Sequence, residues 1–253
     1  MSKINIITAS IVVYKEQISS LQRTLDSVIS SELVKTLYII DNSPTNKLGG
    51  FINHPKIDYI FSGKNLGFGK GHNHILHLLK KNKSEFHLIL NPDVQFDSSI
   101  FQELISRLEK QEDLAVISPK SILRNGDIQY IARRFPSLKQ LVSRFFKSKT
   151  RGPQYQEYAD QDLNQEFYPD FVHGIFLLFK SDDLLALNGF DERFFMYMED
   201  VDICRSLKRM NKKILYYPEL SIRHEYRRGS SKSMKLFLIH LVSIYRYFNK
   251  WGY

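Results

Sequence analysis

Cysteine and long apolar segments are both scarce in this chain of 253 residues. The single cysteine, Cys204, excludes an internal disulfide and a cysteine-based metal cluster, and it fits a reducing compartment. The longest apolar run, residues 236–245, is too short for a membrane span, which needs about 20 apolar residues. The first nine residues have no long apolar core after a basic start, so we expect no signal peptide.

Acidic residues are scarce near the C-terminus. Residues 203–253 contain 12 Lys and Arg but two acids, whereas the net charge of the whole chain is +9. A second basic segment, residues 133–151, contains seven Lys and Arg and no acid. This excess favours a polyanionic partner, which could be anionic lipid, a diphosphate or nucleic acid, although a solvated helix face gives the same pattern.

Strand and helix patterns alternate along the first half of the chain. Apolar, β-branched runs predict strands at residues 4–13, 36–40, 57–61, 86–90 and 114–118. Helical spacing of apolar residues predicts helices at 17–30, 67–80 and 98–110. This alternation is typical of an α/β fold with an open, mainly parallel central sheet flanked by helices on both faces.

The alternation ends after Pro119. Residues 121–166 are polar, basic and aromatic without a clear period, and we expect long loops there. Further strands are predicted at 171–179 and 213–217, and helices at 182–187, 201–210 and 233–251. No internal repeat and no clear linker divides the chain.

Polar segments follow three of the predicted strands. Asp41 ends the second strand, the glycine-rich residues 65–73 follow the third, and Asn91-Pro92-Asp93 follows the fourth. Ligands of open α/β sheets bind beyond the carboxyl ends of the strands, so these segments are expected to converge on one site. Asp93, a carboxylate on a rigid turn, suits a hard divalent cation that also binds a substrate phosphate.

The glycine-rich segment matches neither a P-loop nor a Rossmann fingerprint, because it lacks the required glycines and the Ser or Thr after Lys70. It either brings main-chain N–H groups close to a nucleotide or simply opens a helix. His72, His74 and His77 are expected on the surface of that helix. His224 could face the same edge as Asp93, where it is either a metal ligand or a structural residue.

Five carboxylates fall within residues 191–202, interleaved with aromatic and Met side chains. Carboxylates are disfavoured in apolar surroundings unless they are paired or used, which indicates the wall of a pocket. Glu199, Asp200 and Asp202 also lie at the start of a predicted helix, where acids cap the first turn. Capping accounts for one acid, and another could serve as a general base.

Taken together and in this order, the motifs resemble family 2 glycosyltransferases of the GT-A fold, in particular the bacterial rhamnosyltransferase-like branch. The segments that carry the resemblance are Ile40-Asp41-Asn42-Ser43, Asn65-Leu66-Gly67-Phe68-Gly69, Leu90-Asn91-Pro92-Asp93, Asn188-Gly189-Phe190-Asp191-Glu192, Phe195-Met196-Tyr197-Met198-Glu199-Asp200-Val201-Asp202, and Tyr217-Pro218 before His224.

The resemblance implies a role for each matching residue. Asp200 would be the general base, with Glu199 as the second choice, while Asp93 and His224 would hold Mg²⁺ or Mn²⁺ on the donor diphosphate. The nucleotide-sugar site would consist of Asp41 at the base, together with Asn65, Gly67, Asn73, Asn91 and Asp93. Asn91 replaces the first acid of the metal motif, a substitution typical of this branch, so coordination would depend more on the other ligands.

The resemblance also implies the reaction. An inverting, metal-dependent transfer would move a sugar, by analogy L-rhamnose from dTDP-L-rhamnose, to a saccharide acceptor on a lipid diphosphate in O-antigen or capsule assembly. A UDP-hexose is the alternative donor. Tyr197, Arg133 and Arg134 are candidate acceptor contacts, since Arg favours phosphate, although the arginines could equally lie in a solvated loop.

These implications divide the chain into a GT-A domain at residues 1–225, with a nucleotide-sugar half at 1–118 and an acceptor half at 119–225, and a basic amphipathic helix at 226–253. That helix suits an anionic membrane surface, and we expect a cytoplasmic protein on the inner face of the cell membrane. It could instead pack on the domain or on a second copy in a homodimer.

Two rival hypotheses start from the same residues. A nucleic-acid-binding protein explains the basic tail, but Asp93 and the acids at 199–202 would repel phosphate, so no nucleic-acid partner is expected. A catalytically inactive partner subunit is suggested by Asn91, whereas Asp200 argues against it.

Overall fold

The computed structural model describes residues 7–138, 157, 158, 160–225 and 233–252. Residues 139–151 of the basic segment and much of the predicted loop region lie outside these ranges. The strands are β1 (Ile7–Val13), β2 (Val34–Asp41), β3 (Ile57–Phe61), β4 (Phe86–Leu90), β5 (Val94–Gln95), β6 (Leu114–Leu123), β7 (Ile128–Gln129), β8 (Ala132–Arg133), β9 (Phe171–Val172), β10 (Phe176–Lys180) and β11 (Lys213–His224). The helices are α1 (Ile18–Ile29), α2 (Phe68–Asn73), α3 (Leu76–Asn82), α4 (Ile100–Lys110), α5 (Ser181–Ala186), α6 (Glu199–Arg209) and α7 (Met234–Trp251).

One large sheet organises the described part of the chain, in the order β3-β2-β1-β4-β10-β6-β11-β5, with β7 beside β6. The first four strands pair in parallel, as predicted, whereas β10 runs antiparallel between β4 and β6. Phe176 at the start of β10 therefore lies opposite Leu90 at the end of β4. The segments before β10 and after β4 consequently meet at one edge of the sheet, and this edge carries the candidate site residues.

The core lies in the central strands and the helices that pack on them. Every residue of β4 is buried, as expected for a strand covered on both faces. Helix α1 buries Leu21, Leu25 and Val28 at helical spacing, and α4 buries its own apolar stripe in the same way. Truncating one such buried Leu to Ala typically costs about 2–5 kcal/mol of stability.

The predicted helix at 67–80 is two helices, α2 and α3. The amides of His74 and Ile75 bond to the carbonyls of Gly71 and His72, three residues back, so α2 ends in a tightened turn. Ile75 then leaves the helical region at φ −99° and ψ 1°. His72 faces inward and is buried, so its predicted surface position is wrong, whereas His74 and His77 are exposed as expected.

The predicted strand at 171–179 is also interrupted. The amide of Ile175 bonds to the carbonyl of His173 at 2.7 Å, which bends the chain between β9 and β10. The predicted strand at 213–217 continues instead of stopping at Pro218. Its register with β6 shifts between Tyr217 and Ser221, and such an irregularity lets the proline stay within the strand.

Helix α7 packs on the segment that precedes α6. Tyr247 and Phe248 are buried, and the Ser243 hydroxyl donates to the Met196 carbonyl at 2.8 Å. Its exposed apolar side chains are Met234, Phe237, Leu238, Val242 and Tyr245. Within the described ranges, no helix is long and apolar enough to cross a membrane.

Candidate active site

Asp41 ends β2 as a fully buried carboxylate. Its Oδ1 accepts the Ser43 amide at 2.8 Å, and its Oδ2 accepts the Tyr59 hydroxyl at 2.6 Å. Burial, followed by the Asp41 carboxylate, raises the pKa of Tyr59 well above its ordinary value, so the phenol remains a donor. A nucleotide base would have to displace neighbouring groups to touch this carboxylate, and that role of Asp41 stays a prediction.

The glycine-rich loop is bonded to the segment that leads into α6. Gly67 has φ 84°, in the left-handed region that suits glycine, and its amide donates to Asn65 Oδ1 at 3.0 Å. The next amide, of Phe68, donates to the Phe195 carbonyl at 2.9 Å. A Cβ atom at Gly67 would overlap that carbonyl, so only glycine permits this close approach.

Asn73 links the same two parts of the chain a second time. Its side-chain oxygen accepts the Phe190 amide and its side-chain nitrogen donates to the Phe190 carbonyl, both at 2.8 Å. Gly189, at φ 74°, leaves room for this amide. The structure thus gives Asn73 a main-chain partner, and its predicted contact with the donor stays a prediction.

His224 and Asp93 face each other at the end of β11. Their Nε2 and Oδ1 atoms are 3.2 Å apart, and the side chains are 4% and 16% exposed. Nδ1 of His224 is 2.8 Å from Gln129 Oε1, which also accepts the Ser121 hydroxyl. Because an amide oxygen can only accept, Nδ1 donates to Gln129, and Nε2 is the ring atom that faces the Asp93 carboxylate.

An imidazole nitrogen and a carboxylate oxygen are both usual metal ligands, so these two facing side chains fit a divalent cation. A metal-bound histidine usually donates its other ring N–H to a carbonyl or a carboxylate, and Gln129 offers such a carbonyl to His224. No group of three or more His, Cys, Asp or Glu that could hold a metal occurs among the described residues. A cation here would therefore take its other ligands from water or substrate oxygen.

The turn that carries Asp93 is held from several sides. The Thr24 hydroxyl donates to the Pro92 carbonyl at 2.8 Å, and the Glu225 amide donates to the Asp93 carbonyl at 2.9 Å. The Asn91 amide donates to the Ile175 carbonyl at 3.0 Å. The predicted metal edge is therefore joined to the bend before β10. Gln129 was missed from the sequence because it lies in a stretch without a periodic pattern.

Asp200 lies in the first turn of α6, with its side chain 16% exposed. Oδ2 is 3.1 Å from His173 Nδ1 and 3.2 Å from the Gly174 amide, and Oδ1 accepts the Val201 amide at 2.9 Å. Burial alone would raise the pKa of Asp200. The hydrogen bonds and charge of His173, helped by the two amides, outweigh burial and lower it, so the carboxylate is ionised at neutral pH.

Glu199 has the opposite environment. It is 6% exposed, and its Oε2 is buried without a hydrogen-bond partner among the described residues. Burial, followed by the charge of Asp200, raises the pKa of Glu199 well above its ordinary value. Burial and the charge of Asp200 both favour the neutral form of Glu199, which already carries its proton, so the geometry favours Asp200 over Glu199 as the candidate base.

The turn before α6 is strained. Tyr197 and Met198 have φ values of 68° and 69°, which non-glycine residues rarely adopt. Such strain persists where the surroundings over-determine the conformation, and it concentrates at functional sites. Here the supports are the glycine-rich loop on one side and α7 on the other.

Two further acids of the cluster, Asp191 and Asp202, belong to the α7 interface. Asp202 accepts Lys250 Nζ at 2.8 Å and Trp251 Nε1 at 2.7 Å, and Lys250 also reaches Asp191 at 2.9 Å. Burial raises the pKa of Asp202 despite these partners, whereas the hydrogen bond from Arg193 and the contact with Lys250 keep that of Asp191 well below its usual range. The cluster therefore combines the candidate base with a structural anchor.

The candidate acceptor arginines are both paired with acids. Arg133 lies 3.0 Å from Glu157, and Arg134 makes a two-pronged pair with Asp160 at 2.8 and 2.9 Å. Tyr197 contacts the His240 ring of α7, with ring centres 4.8 Å apart. Their acceptor roles stay predictions, and the arginines would have to exchange partners to bind a diphosphate.

Comparison with known proteins gives one family match. The family profile described as "Glycosyl transferase family 2" matches residues 8–184. Rhamnosyltransferase WbbL of Escherichia coli (strain K12) is 26% identical over 238 residues, covering 90% of this chain and 87% of that protein. N-acetylglucosaminyl-diphospho-decaprenol L-rhamnosyltransferase of Mycobacterium tuberculosis is 25% identical over 221 residues, covering 81% of this chain and 71% of that protein.

Among solved structures, the chain is similar to the crystal structure of GalNAc-T7 with UDP, GalNAc and Mn²⁺. The TM-score is 0.64 at 15% identity, and the match covers 88% of this chain and 43% of that longer one. At this identity the likeness concerns the fold, which is the GT-A fold expected from the motifs.

Proposed function

The chain belongs to glycosyl transferase family 2, and on that premise we propose that it is an inverting, metal-dependent rhamnosyltransferase that uses Asp200 as its general base. One observation carries the proposal. The Gly174 amide bonds to Asp200, and the neighbouring Ile175 carbonyl accepts the amide of Asn91, two residues before Asp93. This contact brings the carboxylate of Asp200 and the candidate cation ligands Asp93 and His224 to one edge of the sheet, which supports the proposal.

The chain's residues account for the reaction as follows. Asp200 takes the proton of the acceptor hydroxyl, whose oxygen bonds to the anomeric carbon as the carbon–oxygen bond to the diphosphate breaks. A divalent cation held by Asp93 and His224 would neutralise the charge of the leaving diphosphate. A single displacement inverts the anomeric centre and needs no second, nucleophilic carboxylate, in contrast to retaining glycoside hydrolysis.

The names of the relatives support the choice of donor and acceptor. We propose dTDP-L-rhamnose as the donor, because both relatives are rhamnosyltransferases, with a UDP-hexose as the alternative. The mycobacterial relative is named for a sugar on a diphospho-lipid, which supports a lipid-diphosphate acceptor and a place in bacterial surface polysaccharide assembly. Asp41, Asn65 and Gly67 would border the nucleotide, in a donor half at residues 1–118 distinct from the acceptor half at 119–225.

An acceptor on a lipid requires access to a membrane surface. The exposed apolar side chains of α7 include Met234, Leu238 and Val242, with Lys235 and Arg246 exposed beside them. A helix of this kind can lie in an anionic interface, so we propose that the protein works peripherally on the inner face of the cell membrane. A second copy packed on the same face, giving a homodimer, is the alternative.

The function is tested with purified protein, Mg²⁺ or Mn²⁺, a panel of nucleotide sugars and a lipid-diphosphate acceptor. We expect transfer of rhamnose by the wild type, loss of at least 100-fold in Asp200→Asn, since general bases typically contribute about 10²–10⁴-fold, and loss on addition of EDTA. Glu192→Gln is the matched control, because this exposed carboxylate lies in the same segment but pairs with Lys70. Full activity of Asp200→Asn would refute the base, and activity in EDTA would refute the metal.

A further inference from the structure

His173 lies beside the base but was not recognised from the sequence. Its Nδ1 is 3.1 Å from Asp200 Oδ2, and its side chain is 36% exposed. Its main-chain amide donates to the Ile131 carbonyl at 3.0 Å, and the Phe171 ring packs edge-on against the imidazole with ring centres 5.5 Å apart. Main chain and neighbouring ring therefore fix this imidazole where it meets α6.

The two oxygens of Asp200 are used unequally. A carboxylate offers about four acceptor positions, two on each oxygen. Oδ2 receives the His173 Nδ1 hydrogen and the Gly174 amide, which fill both of its positions. Oδ1 receives the Val201 amide and keeps one position for a further donor. An acceptor hydroxyl that approaches the carboxylate therefore finds its partner in Oδ1.

The electrostatic surroundings make this contact important for the base. Among the described residues, the titratable groups that face Asp200 are Glu199 and Cys204 on its own helix and His173 on the bend before β10. Burial disfavours the charged form of the carboxylate, and His173 is the largest of the opposing effects. The Gly174 and Val201 amides belong to the main chain. Among the groups that lower the pKa of Asp200, His173 is therefore the one side chain.

We propose that His173 is the positioning residue of the general base, holding Oδ2 of Asp200 through Nδ1 so that Oδ1 takes the acceptor proton. The proposal rests on the function proposed above. In the transfer step the acceptor proton moves to Oδ1 and the acceptor oxygen bonds to the anomeric carbon. The electron pair of the broken carbon–oxygen bond leaves with the nucleoside diphosphate.

Three variants at position 173 test the proposal through the pH dependence of kcat and the KM for the sugar nucleotide. His173→Asn keeps a donor near the place of Nδ1, His173→Gln moves its amide toward the place of Nε2, and His173→Ala has no donor. The Ala and Gln variants should lose about tenfold in kcat, the change expected for one hydrogen bond to a charged group. Their acidic limb should move to higher pH, because the ionised carboxylate loses a donor.

The Asn variant should stay close to the wild type in both measurements, and KM should be unchanged in all three. His77→Ala, an exposed histidine on α3, is the matched control and should behave as the wild type. Wild-type kcat and pH profile in His173→Ala, or equal profiles for the Asn and Gln variants, would overturn the positioning role. If Asp200→Asn is inactive in the same assay while the variants at position 173 behave as the wild type, only the positioning role fails. An active Asp200→Asn refutes the proposed base as well, and absence of transfer by the wild type refutes the proposed function.

Discussion

Acid should destabilise this protein through a buried chain of polar groups between β1, β4 and α2. Ser10 Oγ lies 2.7 Å from His72 Nδ1 and 2.8 Å from His87 Nε2, and Thr8 Oγ1 lies 2.9 Å from His87 Nδ1. His87 is 1% exposed, and its hydroxyl partners can donate or accept but bring no negative charge. Protonation would therefore place an uncompensated cation in the core.

The size of the effect follows from the pKa of His87. Burial lowers it from the ordinary 6.5 to about 3. The unfolded chain therefore binds a proton between these values while the folded chain does not, so stability is complete above pH 6.5 and falls as the pH drops toward 3. At pH 5 the loss from His87 alone is about 2 kcal/mol. Burial, followed by the charge of His87, also lowers the pKa of His72, which adds to the loss.

Urea unfolding at pH 7.5 and pH 5 measures this loss as a difference in unfolding free energy. His87→Gln removes the titrating group, so it should reduce that difference by about 2 kcal/mol, whatever its effect at pH 7.5. His77→Gln, an exposed histidine, should leave the difference unchanged. The reasoning fails if His87→Gln has the pH dependence of the wild type, or if an NMR titration places the pKa of His87 near 6.

Three further predictions concern the site and α7. Gln129→Leu should weaken Mn²⁺ binding by about 10–100-fold in calorimetry, because it removes the group that orients His224; unchanged affinity would show that Gln129 does not orient a metal-binding imidazole. Lys250→Met should lower the unfolding free energy by about 3 kcal/mol, because Asp202 stays buried without its cation; a loss below 1 kcal/mol would show that Trp251 suffices. Leu238→Glu should reduce sedimentation with anionic vesicles without changing the melting temperature, and a change from dimer to monomer instead would identify a subunit interface.

The sequence predicted the edge that carries the site because polar residues directly after apolar strands are a local signal. The contact between Asp93 and His224 could not be predicted from that local signal. Their contact depends on β11 continuing past Pro218, whereas a local rule ends a strand at proline. The irregularity that accommodates the proline is a property of the pairing with β6, which no single segment encodes.

Two neighbouring acids show a different limit of prediction from the sequence. Glu199 and Asp200 are adjacent, and successive residues of a helix point about 100° apart. The exact start of α6 therefore decides which carboxylate is buried, and it lies two residues before the predicted start. His173 was hidden inside an apolar run predicted as one strand, and the partner of Asn73 lies 117 residues away.

The hydrogen bonds between the glycine-rich loop and the segment before α6 bear on how this enzyme could be recombined. The Phe68 amide donates to the Phe195 carbonyl, and the Asn73 side chain bonds to the main chain of Phe190, so these contacts join residues 1–118 to residues 119–225. A chimera that joins residues 1–118 of this chain to the C-terminal part of a relative must preserve these contacts. We therefore expect such chimeras to exchange sugar specificity between relatives that keep glycine at position 67 and asparagine at position 73.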